Sequence, residues 1–260
     1  MKVPLTRRRE LGQHFLVDEN IVAVAGRMAD LRSEDVVLEV GPGLGVLTAY
    51  LADRVLLVHA IEIDRGLEPH LRERFGASTS VNLVFDDALA HPLGELDPAP
   101  TKFVSNLPYN VATPLVIESL DGIPSLDLWC VMVQREIADR FFAPPRTKSY
   151  GAVSVLVQLT AERTGFHPVP PTVFRPPPRV DSALVAFRRQ RRWGTGFEHV
   201  QTLVQTAFAH RRKTMANSFA LAGLDRARVV AALAAMDLPE NVRAEQLAPE
   251  QFLRLAELLP

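Results

Sequence analysis

The run NLPY (106–109) follows the apolar stretch KFVS (102–105), so an amide, a proline and an aromatic ring stand where a buried strand would end. The same residue types also make an ordinary turn, because asparagine is a turn former and proline ends strands unaided. Their chemical reading concerns an exocyclic purine amine, whose delocalised lone pair makes it a poor nucleophile. The side-chain oxygen of Asn106 and the main-chain carbonyl of Leu107 can accept that amine's two hydrogens. Such a pair of acceptors favours a tetrahedral nitrogen with a directed lone pair. Pro108 fixes the local backbone. Tyr109 offers a face on which a base withdrawn from its helix can stack, and that face favours positive charge developing on the nitrogen. Positioning and electrostatics suffice for this chemistry, with no metal and no covalent intermediate.

A second constellation lies upstream. EVGPGLGVLT (39–48) follows an apolar strand pattern and opens a helical one, where glycine lets backbone approach a ligand at the carboxyl edge of a parallel sheet. Glu62, about twenty residues on, ends the next strand pattern, where a carboxylate can accept from both hydroxyls of a ribose. Asp87, after the third, is placed to accept from an adenine amino group. Gly41 and Gly43 suit a dinucleotide fingerprint, but Val46 stands where its third glycine belongs, and no phosphate-binding lysine follows. The set therefore points to a nucleoside pocket, and to S-adenosylmethionine over NAD or ATP. The lone cysteine, Cys130, sits inside an apolar strand pattern with no adjacent histidine and reads as core packing.

The elements that must position these residues alternate. Strand patterns at 36–40, 56–62, 81–85, 102–105 and 128–134 are separated by helical patterns at 44–54, 65–75, 113–120 and 135–142, which predicts a parallel sheet covered on both faces. A helix over 18–29, with Asp18 as N-cap, precedes them. Two further strand-like runs, 152–162 and 182–189, flank a proline-rich connection and predict that the sheet ends in an antiparallel pair. Beyond RRQRR (188–192) only helical periodicity follows, at 197–208, 225–236 and 249–259, so a boundary is placed at 192. The division predicted is 1–192 and an all-helical 193–260.

The 260 residues carry a net charge of −1, with 47% hydrophobic and 23% charged residues, ordinary values for a soluble globular protein. No apolar run reaches the roughly 18 residues of a membrane span. The basic N-terminus lacks the apolar core of a secretory signal, and a single cysteine fits a reducing compartment, so the expected location is the cytoplasm. Basic residues cluster at Arg7, Arg8 and Arg9, at Arg188 and Arg189, and at Arg211, Arg212 and Lys213. Such clusters on a chain with no net positive charge suggest a local phosphate-binding face.

Taken together, LGQHFLVD (11–18), EVGPGLGVLT, IEID (61–64), DDAL (86–89), NLPYNVATP (106–114), VQREIADR (133–140), SYGAVSVL (149–156), PPTVFRPPPRVDSA (170–183) and AFAHRRKTMANS (207–218) resemble the KsgA-type family of small-subunit rRNA adenine dimethyltransferases. The resemblance implies a Rossmann-like seven-stranded methyltransferase sheet, mostly parallel, with a small helical C-terminal domain. It implies that Gln13, His14 and Leu16 lie against the methionine end of S-adenosylmethionine and that Gly41 and Gly43 line it. Glu62 with Ile63 would hold the ribose, Asp87 and Ala88 would flank the adenine, and Asn106 would be shared with the target amine. His14 stands where many relatives carry asparagine. Phe174 would be the second stacking residue, opposite Tyr109, and the basic clusters would grip rRNA phosphates, with the His210–Lys213 stretch on a helix. The implied partner is 16S rRNA in the immature 30S subunit, met by a monomer without a metal. Rival expectations are an Erm-type 23S rRNA methyltransferase and an assembly or transcription factor on the same fold. An NAD-dependent oxidoreductase is disfavoured by the incomplete fingerprint.

Overall fold

The computed structural model describes residues 13–193, 196–210 and 212–259. The chain forms two compact units, one of residues up to Ala138 with Glu162–Arg189, the other of Asp139–Ala161 with Gln190 onward. The expected single cut at 192 thus differs from the observed division, in which the helical unit also takes in 139–161.

The first unit begins with a two-residue strand β1 (Phe15–Leu16) and helix α1 (Glu19–Met28). Asp18 caps α1 as expected, its carboxylate accepting from the amides of Asn20 and Ile21. Then follow β2 (Val36–Val40), α2 (Val46–Ala52), β3 (Leu57–Ile61), α3 (Glu68–Phe75), β4 (Val81–Val84), β5 (Lys102–Asn106), α4 (Ala112–Gly122), β6 (Leu128–Gln134) and α5 (Arg135–Phe141), whose residues from Asp139 on fall in the second unit. α6 (Ala152–Thr160) belongs to the second unit, and β7 (Ala161–Val169), β8 (Phe174–Arg175) and β9 (Ser182–Arg189) complete the strands among the described residues. The main sheet has seven strands in the order β4-β3-β2-β5-β6-β9-β7. β2 to β6 pair in parallel, and β9 runs antiparallel to β6, from Leu128 opposite Arg188 to Gln134 opposite Ser182.

Strands buried on both faces explain why the parallel segments read as unbroken apolar runs. All five residues of β2 are buried, as are Leu128 to Val133 of β6. Trp129 and Phe187, both fully buried, stack at 5.2 Å across the β6–β9 pair, and Cys130, the next residue of β6, is buried in the core cluster with Ala25 and Ala186. Its thiol is pushed up to about 12 by burial and so stays protonated.

One expected strand is a helix. Ala152–Thr160 is α6, although Val153, Val155 and Val157 gave it a strand-like composition. Its buried residues Val155, Leu156, Val157 and Leu159 sit in the helical unit, where the Ser154 hydroxyl accepts from the amide of Gly151 at 3.1 Å. Packing on several sides makes the run apolar all round, which a strand pattern mimics. The edge strand β7 instead occupies 161–169, including Pro168 that had marked it as a connection; an edge tolerates proline.

The second unit adds α7 (Phe197–Phe208), α8 (Met215–Leu221), α9 (Arg226–Ala234) and α10 (Pro249–Leu258). Phe208 stacks on Phe252 of α10 at 5.8 Å and meets the edge of Tyr150, whose hydroxyl donates to the Leu247 carbonyl at 2.8 Å. His210, Arg212 and Lys213 lie in the turn between α7 and α8 and not on a helix, which corrects the expectation for that stretch.

The turn from β2 into α2 is where the backbone is most demanding. Gly45, the residue before α2, has φ +75°, and a Cβ there would lie 2.4 Å from Cε2 of Phe75. Gly45→Ala is expected to lower the unfolding free energy by about 2–4 kcal/mol, from left-handed strain plus overlap with a buried ring. Urea unfolding with an unchanged midpoint would show that the turn relaxes freely.

Candidate active site

The carboxyl ends of β2, β3, β4 and β5 share one edge of the sheet, and the chain leaving each carries a candidate residue. After β2, the Gly41 amide donates to the Ile61 carbonyl at 2.8 Å, which ties the loop to β3. Gly43, at φ +57°, packs so closely under Phe15 that a Cβ would stand 2.9 Å from its Cδ1. The Gly43 amide donates to one oxygen of Glu62 at 3.1 Å, and the Asp64 amide donates to the other at 2.9 Å. Glu62 thereby clasps two loops at once. Burial raises its pKa, while those two amides pull it down and the neighbouring Asp64 carboxylate adds to the rise.

Two adjoining cavities open along this edge. The first is walled by the strap Gln13–Leu16, by Glu39, by the glycine loop and by Asn106–Tyr109. The second is walled by Asp86–Leu89 and by Asn110, Val111 and Leu115. Gly41, Glu62, Ile63 and Pro108 belong to both. The expected nucleoside residues are therefore brought together. Ala88 is buried, Asp87 is exposed with Oδ1 accepting from the Leu89 amide at 3.0 Å, and Ile63 is exposed between the two cavities.

At the end of β5, the Leu107 amide donates to the Met132 carbonyl at 3.0 Å and the Pro108 carbonyl accepts from Val111 and Ala112, which seats NLPY between the sheet and α4. Asn106 donates through Nδ2 to the His14 carbonyl at 3.2 Å, leaving Oδ1 as the acceptor end of its amide. The His14 ring lies 5.7 Å from the Tyr109 ring at 27°, and its Nδ1 is 2.8 Å from the Pro176 carbonyl. Gln13 Nε2 donates to Asp64 at 2.8 Å. These contacts, with the pairing of β1 on β8, hold the strap 13–16 across the glycine loop.

Phe174 departs from expectation. It sits in β8 opposite Leu16, is fully buried, and belongs to the core cluster with Phe15, Leu16 and Ala25. Its ring is a packing anchor in this conformation and is not part of the cavity wall facing Tyr109. Arg189 departs too. Its guanidinium donates to the carbonyls of Leu120, Leu126 and Ile123 and lies over Trp129, so it terminates α4 and does not face outward as an anion grip. Arg188 pairs with Asp30 at 3.2 Å, while Arg212 and Lys213 are exposed. Arg7, Arg8, Arg9 and Arg211 lie outside the described residues. Among the described residues, no group of three or more His, Cys, Asp or Glu side chains is placed to hold a metal, and no helix is long and apolar enough to cross a membrane.

Sequence reasoning passed over Glu39. It opens the EVGPGLGVLT run but has no assigned role there, yet it lines the first cavity at 1% exposure. Its Oε2 has no hydrogen-bond partner, and Thr48 lies beside it without closing one. Burial pushes its pKa up to about 8, with Thr48 pulling slightly the other way and Glu62 adding to the rise. The carboxyl is therefore mostly neutral at pH 7.

Strand order, left-handed glycine loop, clasping carboxylate and NLPY together define a Rossmann-like methyltransferase sheet. Solved structures agree. The 23S rRNA methyltransferase ErmE superposes with a TM-score of 0.67 at 32% identity, over 94% of this chain and 99% of that one. A dimethyladenosine transferase from Plasmodium falciparum superposes at 0.77 with 23% identity, over 93% and 96%, which speaks to fold. The family model for ribosomal RNA adenine dimethylases matches residues 5–260, and the chain belongs to that family. Among its relatives, the ribosomal RNA small subunit methyltransferase A of Rubrobacter xylanophilus is 46% identical over 95% of this chain and 93% of its own. The protein of the same name from Kineococcus radiotolerans is 45% identical over 97% and 86%.

Glu39 makes stability depend on pH in a definite direction. An acid with pKa near 8 when folded and 4.5 when unfolded takes up a proton on folding between those values, so its contribution is complete below pH 4.5 and is lost as pH rises through 8. Glu39→Gln removes that dependence. Its unfolding free energy relative to the wild type is expected to rise from pH 5 to pH 8.5 in urea titrations; parallel curves would mean that Glu39 ionises normally.

Proposed function

We propose that this protein transfers methyl groups from S-adenosylmethionine to the N6 amines of two adjacent adenosines near the 3′ end of 16S rRNA, each twice, in an assembling small ribosomal subunit. The observation that carries the reading is the shared wall of the first cavity, where the glycine loop and an oriented Asn106 face one space. The chain's residues suit the donor. Their acidic and polar set, including the orphaned Oε2 of Glu39, fits a cationic nucleoside. Glu62 would hold the ribose, Asp87 and Ala88 the adenine with Ile63 beside it, and Gln13, His14, Leu16, Gly41 and Gly43 the methionine end. Bound there, S-adenosylmethionine supplies an electrophilic methyl carbon.

The chain's part is then positional. Tyr109, kept as a neutral phenol by burial, stacks the extruded adenine. Asn106 Oδ1 and the Leu107 carbonyl accept the amine hydrogens, and Pro108 prevents that pair from rotating apart. A monomethylated amine still has one hydrogen for either acceptor, which supports a second transfer in the same site. The proton leaves to water after transfer, so no general base is required. Arg188, Arg212 and Lys213, with Arg7, Arg8, Arg9 and Arg211, would contact rRNA phosphates. The single cysteine fits a reducing compartment, which supports reading the enzyme as cytoplasmic.

The 45–46% identity to small-subunit enzymes, against 32% to ErmE, favours 16S over 23S rRNA. Purified protein incubated with labelled S-adenosylmethionine and 30S particles lacking the modification is expected to yield two adjacent dimethyladenosines, read by mass spectrometry of the 16S 3′ fragment. With unmodified 50S particles assayed in parallel, label in 23S rRNA alone, or none in either particle, would overturn the proposal.

A further inference from the structure

Tyr109 is held at its far end by a residue that no part of the reading above uses. Its hydroxyl is 2.7 Å from Oγ of Ser182, which is fully buried at the start of β9. Ser182 is fixed in place by the sheet, since it stands opposite Gln134 at the last step of the β6–β9 register and the carbonyl of Asp181 accepts from the Arg135 amide at 3.0 Å. The ring is thus pinned between a loop that leaves β5 and a hydroxyl carried by the antiparallel strand. His14, held by Pro176, lies offset over the ring. A buried hydroxyl without a partner is unfavourable, so each member of the pair holds the other in place.

We infer that Ser182 is a positioning residue for the target base, fixing the plane of the Tyr109 ring so that an extruded adenine stacks with its amine at Asn106 and Leu107. This rests on the reading of Tyr109 as the stacking face. A tether on the hydroxyl also explains why the position holds tyrosine, when phenylalanine would stack as well. Restricting the ring before the base arrives lowers the ordering cost of the productive complex.

The test uses the full chain as Ser182→Ala, Tyr109→Phe, the double variant and Tyr109→Ala. Methylation of unmodified 30S particles gives kcat and KM, calorimetry gives the affinity for S-adenosylmethionine, and thermal midpoints report folding. Ser182→Ala and Tyr109→Phe are each expected to lower kcat/KM for the particle by about three- to tenfold, the size of one neutral hydrogen bond. The double variant should be no worse than either single one, with donor affinity unchanged. Losses that multiply in the double variant would make the two hydroxyls independent and overturn the inference. So would wild-type rates in Ser182→Ala and Tyr109→Phe alongside an impaired Tyr109→Ala. Wild-type rates in Tyr109→Ala would instead overturn the stacking reading itself. Tyr109→Phe leaves Ser182 in place and carries the test alone if Ser182→Ala fails to fold.

Discussion

The hydrogen bond from Asn106 Nδ2 to the His14 carbonyl decides which end of the amide faces the cavity. A carboxamide is nearly symmetric in shape, and only its partners fix which atom donates and which accepts. By taking the nitrogen, the His14 carbonyl leaves the side-chain oxygen as the acceptor of a residue that lines the first cavity with the glycine loop. Turned the other way, the side chain would present hydrogens, and the role proposed for Asn106 toward an amine that also bears hydrogens would fail. On the proposed role of Asn106, the strap 13–16 would share in the chemistry, and its own anchors are Gln13 on Asp64, His14 on Pro176, and the pairing of Phe15 and Leu16 with β8.

The second constraint is the Glu62 clasp. One buried carboxylate accepts from Gly43 and Asp64, and Asp64 in turn accepts from Gln13 and from the Gly66 amide. The glycine loop, the segment after β3 and the strap are thus joined through two acidic side chains. Charge-assisted bonds of this kind are stronger than neutral ones. Burial works against them, since it raises the pKa of Glu62, and the two amides hold it back. Glu39 nearby has no such amides, and its carboxyl stays protonated to about pH 8. Burial raises both acids on this cavity wall, and the backbone amides that reach Glu62 oppose that rise, whereas at Glu39 only Thr48 does.

Much of this was legible in the sequence because it is local. β2, the glycine loop, Glu62 after β3, Asp87 after β4 and NLPY after β5 each follow from an apolar run and the residue that ends it. The helix from Phe197 to Phe208 follows from its period. What was not legible depends on distant partners. Ala152–Thr160 is a helix because the helical unit packs around it, which its valines do not announce. Arg189 reads as one of a basic cluster in sequence, yet its guanidinium meets three carbonyls between the last turn of α4 and the start of β6. Phe174 lay in a motif but is buried by its pairing with Leu16. Ser182 meets Tyr109 across 73 positions of sequence. Sequence patterning shows which face of an element is buried, and it is silent on which polar atom waits at the other end.

The central claim is that Asn106 acts on the target amine through a side chain whose direction the fold has already set. Single-turnover methyl transfer to unmodified 30S particles by Asn106→Ala, with donor affinity measured alongside, tests it most directly. The account predicts a rate lower by about a hundredfold or more, as when a preorganised polar group is removed from a reacting centre, with S-adenosylmethionine still bound. Transfer within a fewfold of the wild-type rate would contradict it.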